Sequence, residues 1–183
     1  MHSIRFSEIV DKRPRHDYIV NTEFIGFDQD YFVVQSLLMD WSPKHVLEIG
    51  TCTGNGSRII RKSLPNARIT TIDIVPCGQV CPPDLTKIVC DSTKFDYSAL
   101  QPVDCWFIDG DHTYDSVLHE TGQAVKHGAK WIIFHDADIP DVMRAIVDSL
   151  SGMDYDVFQV VDPEYQYSSS GLPVTRVAYA IKK

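Results

Sequence analysis

From residue 45 onwards the chain alternates short apolar runs with amphipathic stretches. The runs at 45–50 (HVLEIG), 67–73 (ARITTID), 86–90 (TKIVC), 103–109 (VDCWFID) and 129–135 (AKWIIFH) are near-continuous in apolar residues. That is the pattern of strands buried on both faces of a parallel sheet. Two further strands are predicted at 155–161 and 174–182. Helices fit at 55–64, 113–127 and 139–151. Upstream, Tyr31, Val34, Leu37, Leu38 and Trp41 recur at helical spacing over 28–41, with Asp28 placed to cap the start. Residues 1–27 are mixed and polar; Ile9, Val10, Ile19 and Phe24 keep no sustained period. Strand–helix alternation predicts an α/β fold, a doubly wound, mostly parallel seven-stranded sheet. Only the loop DPEYQYSSSGLP separates the last two strands, so an antiparallel final strand pair is expected at one edge. The chain divides into a helical segment, 1–44, placed as a lid, and a ligand-binding unit, 45–183, within a single domain.

Composition narrows the partners. The chain has 183 residues, 44% hydrophobic and 23% charged, which suits one globular domain. A formal net charge of −8 disfavours nucleic acid, and the short basic patch Lys12, Arg13, Arg15 and His16 reads as a solvated face. No apolar run reaches the roughly 18 residues of a membrane span. The stretch MHSIRFSEIVDKRPRHD lacks the apolar core of a signal peptide, and a cytoplasmic setting is expected. Of five cysteines, Cys52, Cys90 and Cys105 fall in or beside core elements, as reduced thiols do. Cys77 and Cys81 (CGQVC) form the one close pair, without a second pair to complete a zinc site. The expected partner is a small molecule, with a homo-oligomer left open.

The chemistry gathers at the turns that follow strands. After the first comes Glu48-x-Gly50-x-x-Thr53-Gly54. Gly50 permits a tight turn, Thr51 and Thr53 offer hydroxyls, and Gly54 allows close approach. The dinucleotide fingerprint G-x-G-x-x-G is absent. Glu48 would repel a pyrophosphate and attract a cationic or amine-bearing ligand. Asp73, ending the second strand, is positioned to accept hydrogen bonds from a ribose, its rival role being a loop or capping acid. Two more motifs end strands at the same mouth: WFIDGDHTYDSV (106–117) and IIFHDAD (132–138). They bring together Asp109, Asp111, His112, His135, Asp136 and Asp138, a set able to hold a divalent cation. Asp138, before Ile139-Pro140, is expected to cap the next helix.

The wording EIGTCTG resembles the S-adenosylmethionine-dependent methyltransferases of the class I, Rossmann-like group, particularly the catechol and caffeoyl-CoA O-methyltransferase type. The pair FIDGDHTY and FHD is similar to cephalosporin-biosynthesis and macrolide-sugar methyltransferases. The resemblance covers roughly 45–183 and implies S-adenosylmethionine as cofactor, with Asp73 on the ribose and Asp91 and Ser92 at the adenine. Glu48, Gly50, Thr51, Thr53, Gly54 and Asp109 complete the cofactor set. It also implies a divalent metal, magnesium or manganese, on Asp109 and Asp136 with the residue before the second acid. That residue is often Glu in such relatives and is His135 here. Imidazole suits manganese, iron or zinc better than magnesium, which leaves the third ligand and the metal open. His112 matches the proposed general base. The implied activity is metal-assisted O-methylation of a small hydroxylated molecule. The competing readings are an NAD-dependent oxidoreductase on a related sheet, against which the absent fingerprint counts, and a non-catalytic binding module.

Overall fold

The computed structural model describes residues 1–10, 28–78, 80–162 and 174–183. The basic patch at 12–16, Ile19, Phe24, and Tyr165 and Tyr167 with the rest of the loop 163–173 lie outside them.

The strands are β1 (His2–Arg5), β2 (His45–Ile49), β3 (Arg68–Asp73), β4 (Thr86–Val89), β5 (Cys105–Ile108), β6 (Trp131–Phe134), β7 (Tyr155–Val161) and β8 (Val174–Lys182). The helices are α1 (Phe6–Val10), α2 (Asp28–Trp41), α3 (Asn55–Ser63), α4 (Tyr114–Lys126) and α5 (Pro140–Leu150). They form one sheet in the order β1-β7-β8-β6-β5-β2-β3-β4. β2 pairs in parallel with β3 and β5, and β5 in parallel with β6, whereas β8 runs antiparallel to both β6 and β7. The seven expected strands and four expected helices are all present. The expected sheet needs one correction. The final strands β7 and β8 pair antiparallel as expected, but an eighth strand, β1, pairs in parallel with β7 and places them one strand in from the edge. Four residues are too few to show a period in the sequence.

Alternation along the strands sorts the core into two layers. Trp106 and Ile108 of β5, with Ile132 and Phe134 of β6, face Val117 and Ala124 of α4 and Ala145 and Ile146 of α5. Phe107 of β5 and Ile133 of β6 face the other way, onto Val33, Val34 and Leu38 of α2 and Ile60 of α3. The helical stripe read from the sequence is thus core. Leu37 and Leu38 are buried, and Trp41 stacks on Trp131 at 5.6 Å while meeting Tyr179 edge-on. Among the described residues no helix is long and apolar enough to cross a membrane.

Two pieces of local chemistry also differ from expectation. Cys77 and Cys81 form a disulfide, while Cys52, Cys90 and Cys105 are free thiols. Asp138 does not cap α5, whose N-cap residue, Ile139, has no side-chain cap bond. Its carboxylate turns inward and lies 3.8 Å from Arg176.

Phe107 is fully buried at the middle of the sheet. Phe107→Ala should cost about 3–5 kcal/mol in chemical denaturation, since it deletes a ring from a close-packed layer.

Candidate active site

β2 and β5 are neighbours, so the turns that follow them meet. Gly50 (φ +87) packs on the Asp109 main chain, where a Cβ would stand 1.9 Å from the carbonyl oxygen. Gly54 (φ +95) forms the N-cap of α3, and a Cβ there would meet Cys81 at 2.6 Å. Asp73, at the end of β3, ties the turn down. Its Oδ2 accepts from the backbone N–H of Thr51 and of Cys52, both at 2.7 Å, and Oδ1 from Val75 at 2.9 Å. Burial opposes ionisation of Asp73, but these donors prevail and hold its pKa below the usual carboxylate range.

A cavity of about 490 Å³ opens at the carboxyl ends of these strands, the usual place for a ligand in an open α/β sheet. Gly50, Asp73, Asp91, Ser92 and Asp109 line it, together with Cys52, Ile74 and Gly110. Asp91 is held by its own turn at the cavity wall. It faces the cavity, while its carboxylate accepts from Thr93 and pairs with Lys94 at 2.7 Å.

Glu48, Thr51, Thr53 and Gly54 form structure behind this wall. The Thr51 hydroxyl bonds that of Thr71, and Thr53 is exposed, accepting from Asn55. Glu48 is completely buried beneath α3 and accepts from the Ser57 hydroxyl. Burial pushes its pKa up to about 8, against the Ser57 hydrogen bond. Burial disfavours the charge that the sequence offered to a ligand, and Glu48 lies outside the cavity lining.

Asp109 belongs to two sites at once. Besides lining the cavity, its Oδ1 lies 3.2 Å from His135 Nδ1 and 4.0 Å from His112 Nε2. Asp136, buried with φ +53 just past β6, is met by two imidazoles and a guanidinium. Its Oδ2 is 2.9 Å from His112 Nε2 and 3.1 Å from His135 Nδ1, and Oδ1 pairs with Arg176 of β8. Ligand atoms of Asp109, His112 and Asp136 all lie within 4.8 Å of one another. Burial alone would lower the His135 pKa, but Asp109 and Asp30 outweigh it and hold it at about 10. Asp111 turns away from this cluster and accepts from Thr113 and Ser116 at the start of α4.

Three contributors escaped the sequence reading. Asp30 of α2 is buried, 3.7 Å from His135 Nε2, and accepts from the Arg176 backbone N–H at 3.2 Å. Tyr31 stacks on His135 at 6.0 Å. Arg176 comes from the far end of the chain. The stripe on α2 and the apolar run of β8 gave Tyr31 and Arg176 core-like surroundings, and no local spacing links either to His135.

Two substitutions test this construction. Gly50→Ala should abolish ligand binding in calorimetry and cost on the order of 3 kcal/mol or more, through both clash and positive φ. Glu48 titrates higher folded than unfolded, so it withdraws stability as pH rises from about 4.5 to about 8. Glu48→Gln should flatten that slope, gaining on the wild type by up to a few kcal/mol at pH 8 in pH-dependent denaturation.

A family model described as a methyltransferase domain matches residues 47–137, which span the cofactor turn, the cavity and both acidic motifs. No curated protein matches by sequence. Similar solved structures include the Podospora anserina methyltransferase PaMTH1 bound to SAH, S-adenosylhomocysteine. It is 12% identical with a TM-score of 0.64, and the match covers 97% of this chain and 86% of that one. An O-methyltransferase from Bacillus cereus in complex with SAH is 16% identical with a TM-score of 0.55, covering 97% and 90%. MycE, from the mycinamycin biosynthetic pathway, in complex with Mg, SAH and mycinamycin VI, is 14% identical with a TM-score of 0.63, covering 97% and 54%. At these identities the likeness is one of fold. With the family match laid over the same turns, the chain is an S-adenosylmethionine-dependent methyltransferase of the class I, Rossmann-like group.

Proposed function

We propose that the chain methylates a hydroxyl group of a small molecule, assisted by a divalent cation, magnesium or manganese. The observation that carries this is the double position of Asp109, which lines the cofactor cavity and also faces His112, His135 and Asp136. A methyl donor in the cavity would then lie beside a cluster suited to a hydroxyl and its proton.

The cofactor residues are those facing the cavity: Asp73 for the ribose, Asp91 and Ser92 for the adenine, Gly50 and Asp109 between them. Glu48, Thr51, Thr53 and Gly54 support this wall from behind. The donor set suits a divalent ion, since the Asp109 and Asp136 carboxylates meet at the His135 imidazole. Asp109 and Asp136 would hold it with His135, whose Nδ1 already faces both carboxylates; metal binding and a protonated His135 exclude each other. Such a cation, when bound, lowers the pKa of the acceptor hydroxyl. The magnesium in MycE is a parallel on a similar fold.

His112 takes the proton. It is partly exposed at the mouth, and its Nε2 pairs with Asp136, which fixes the ring and stabilises the imidazolium. The acceptor oxygen attacks the sulfonium methyl, the carbon–sulfur bond breaks, and the sulfur leaves as a neutral thioether. From the N-terminal segment expected as a lid, Asp30 and Tyr31 of α2 stand against His135 and would border the acceptor.

Calorimetry with S-adenosylmethionine, and separately with Mn²⁺, tests the two halves. Manganese binding that disappears in Asp109→Asn is the expected result; a wild type that ignores Mn²⁺ and Mg²⁺ removes the metal from the proposal. His112→Ala should keep cofactor affinity and lose about 100-fold or more in turnover on a hydroxylated acceptor found by screening phenols and sugars. Unchanged turnover would refute its role as base.

A further inference from the structure

Beneath the cavity floor lies a carboxyl group that the proposed chemistry does not use. Glu120, on α4, is completely buried. Its Oε1 accepts a 2.6 Å hydrogen bond from the Ser92 hydroxyl, while no partner reaches Oε2 among the described residues. A Cβ on Gly110, itself in the cavity wall, would stand 3.5 Å from Oε1. Ser92 is held a second time, since the Tyr97 hydroxyl donates to its carbonyl at 2.9 Å. Two side chains thus fix one cavity residue from behind.

Burying a carboxyl group with one oxygen unpartnered is costly. An amide at position 120 would fill the same volume without a buried negative charge. Burial raises the Glu120 pKa to about 7, so at pH 8 the group is ionised, and an ionised carboxylate only accepts hydrogen bonds. Ser92 must then spend its single proton on Glu120, which leaves its oxygen to face the cavity as an acceptor. An acceptor there complements the exocyclic amine of adenine and opposes the carbonyl oxygen of a 6-oxopurine.

We propose that Glu120 is a positioning residue that makes Ser92 an obligate acceptor and thereby selects an aminopurine over an oxopurine in the cofactor. This rests on the reading of Ser92 as the adenine contact. Glu120 acts through Ser92 and touches no reacting atom.

The test uses the full chain at pH 8 and titrates S-adenosylhomocysteine and S-inosylhomocysteine by calorimetry into wild type, Glu120→Gln, Ser92→Ala and the double variant. The wild type should prefer the adenosyl ligand. Glu120→Gln should reduce that preference about tenfold, because the glutamine amide can donate to Ser92 and free its proton. Ser92→Ala should reduce it similarly, and the double variant should lose no more than either single one. A purely structural role would weaken both ligands alike and leave the ratio unchanged. An unchanged ratio in Glu120→Gln, with Ser92→Ala still altering it, overturns the role of Glu120 and spares the adenine contact. An unchanged ratio in Ser92→Ala overturns that contact and the proposal together. Thermal melting of Glu120→Gln near the wild-type midpoint ensures that the ratio reports on a folded protein.

Discussion

The contact on which the site depends is the one between Gly50 and the main chain of Asp109. Parallel pairing of β2 with β5 carries both strands to the same sheet end, and the absence of a single carbon atom lets their turns touch. The backbone of Asp109 then closes one wall of the cavity, and its carboxylate is left to project beyond it. Cofactor recognition and acceptor chemistry are therefore set by one spacing rather than by two independent loops. Asp73 reinforces this from the other neighbour, β3, by drawing the Thr51 and Cys52 amides onto its carboxylate.

Around the acceptor the dominant problem is negative charge. Asp30, Asp109, Asp136 and Asp138 converge on a small and largely buried volume. The protein answers with His135 and Arg176, one on the strand that carries the motif and one on the last strand of the sheet. The antiparallel insertion of β8 beside β6 is what brings Arg176 there, and the backbone of β8 in turn is bonded to Asp30 of α2. Elements far apart in sequence thus meet over one pair of carboxylates.

The sequence made the sheet legible because its central strands are buried on both faces and bounded by turns. The same reasoning located Asp73, Asp109, His112, His135 and Asp136, since each ends a strand or lies in the turn after one. It failed where the decisive contact is tertiary. Glu48 looked like a charge offered to a ligand, yet strand alternation points it beneath α3. Glu120 belongs to no motif, yet α4 lays it under the cavity. Asp138 occupied a plausible capping position, but the nearby guanidinium of Arg176 draws it inward. Asp30 and Arg176 are 146 residues apart, beyond any local pattern.

The short strand β1 has a consequence for the molecule as a solute. Without it, β7 would present seven residues of unpaired backbone at the side of the sheet. β1 covers four of them, 158–161, and bears the exposed side chains of His2 and Arg5. Short, charged borders are poor templates for another chain to extend. A stretch with no evident periodicity thus shortens the open backbone beside a long antiparallel ribbon.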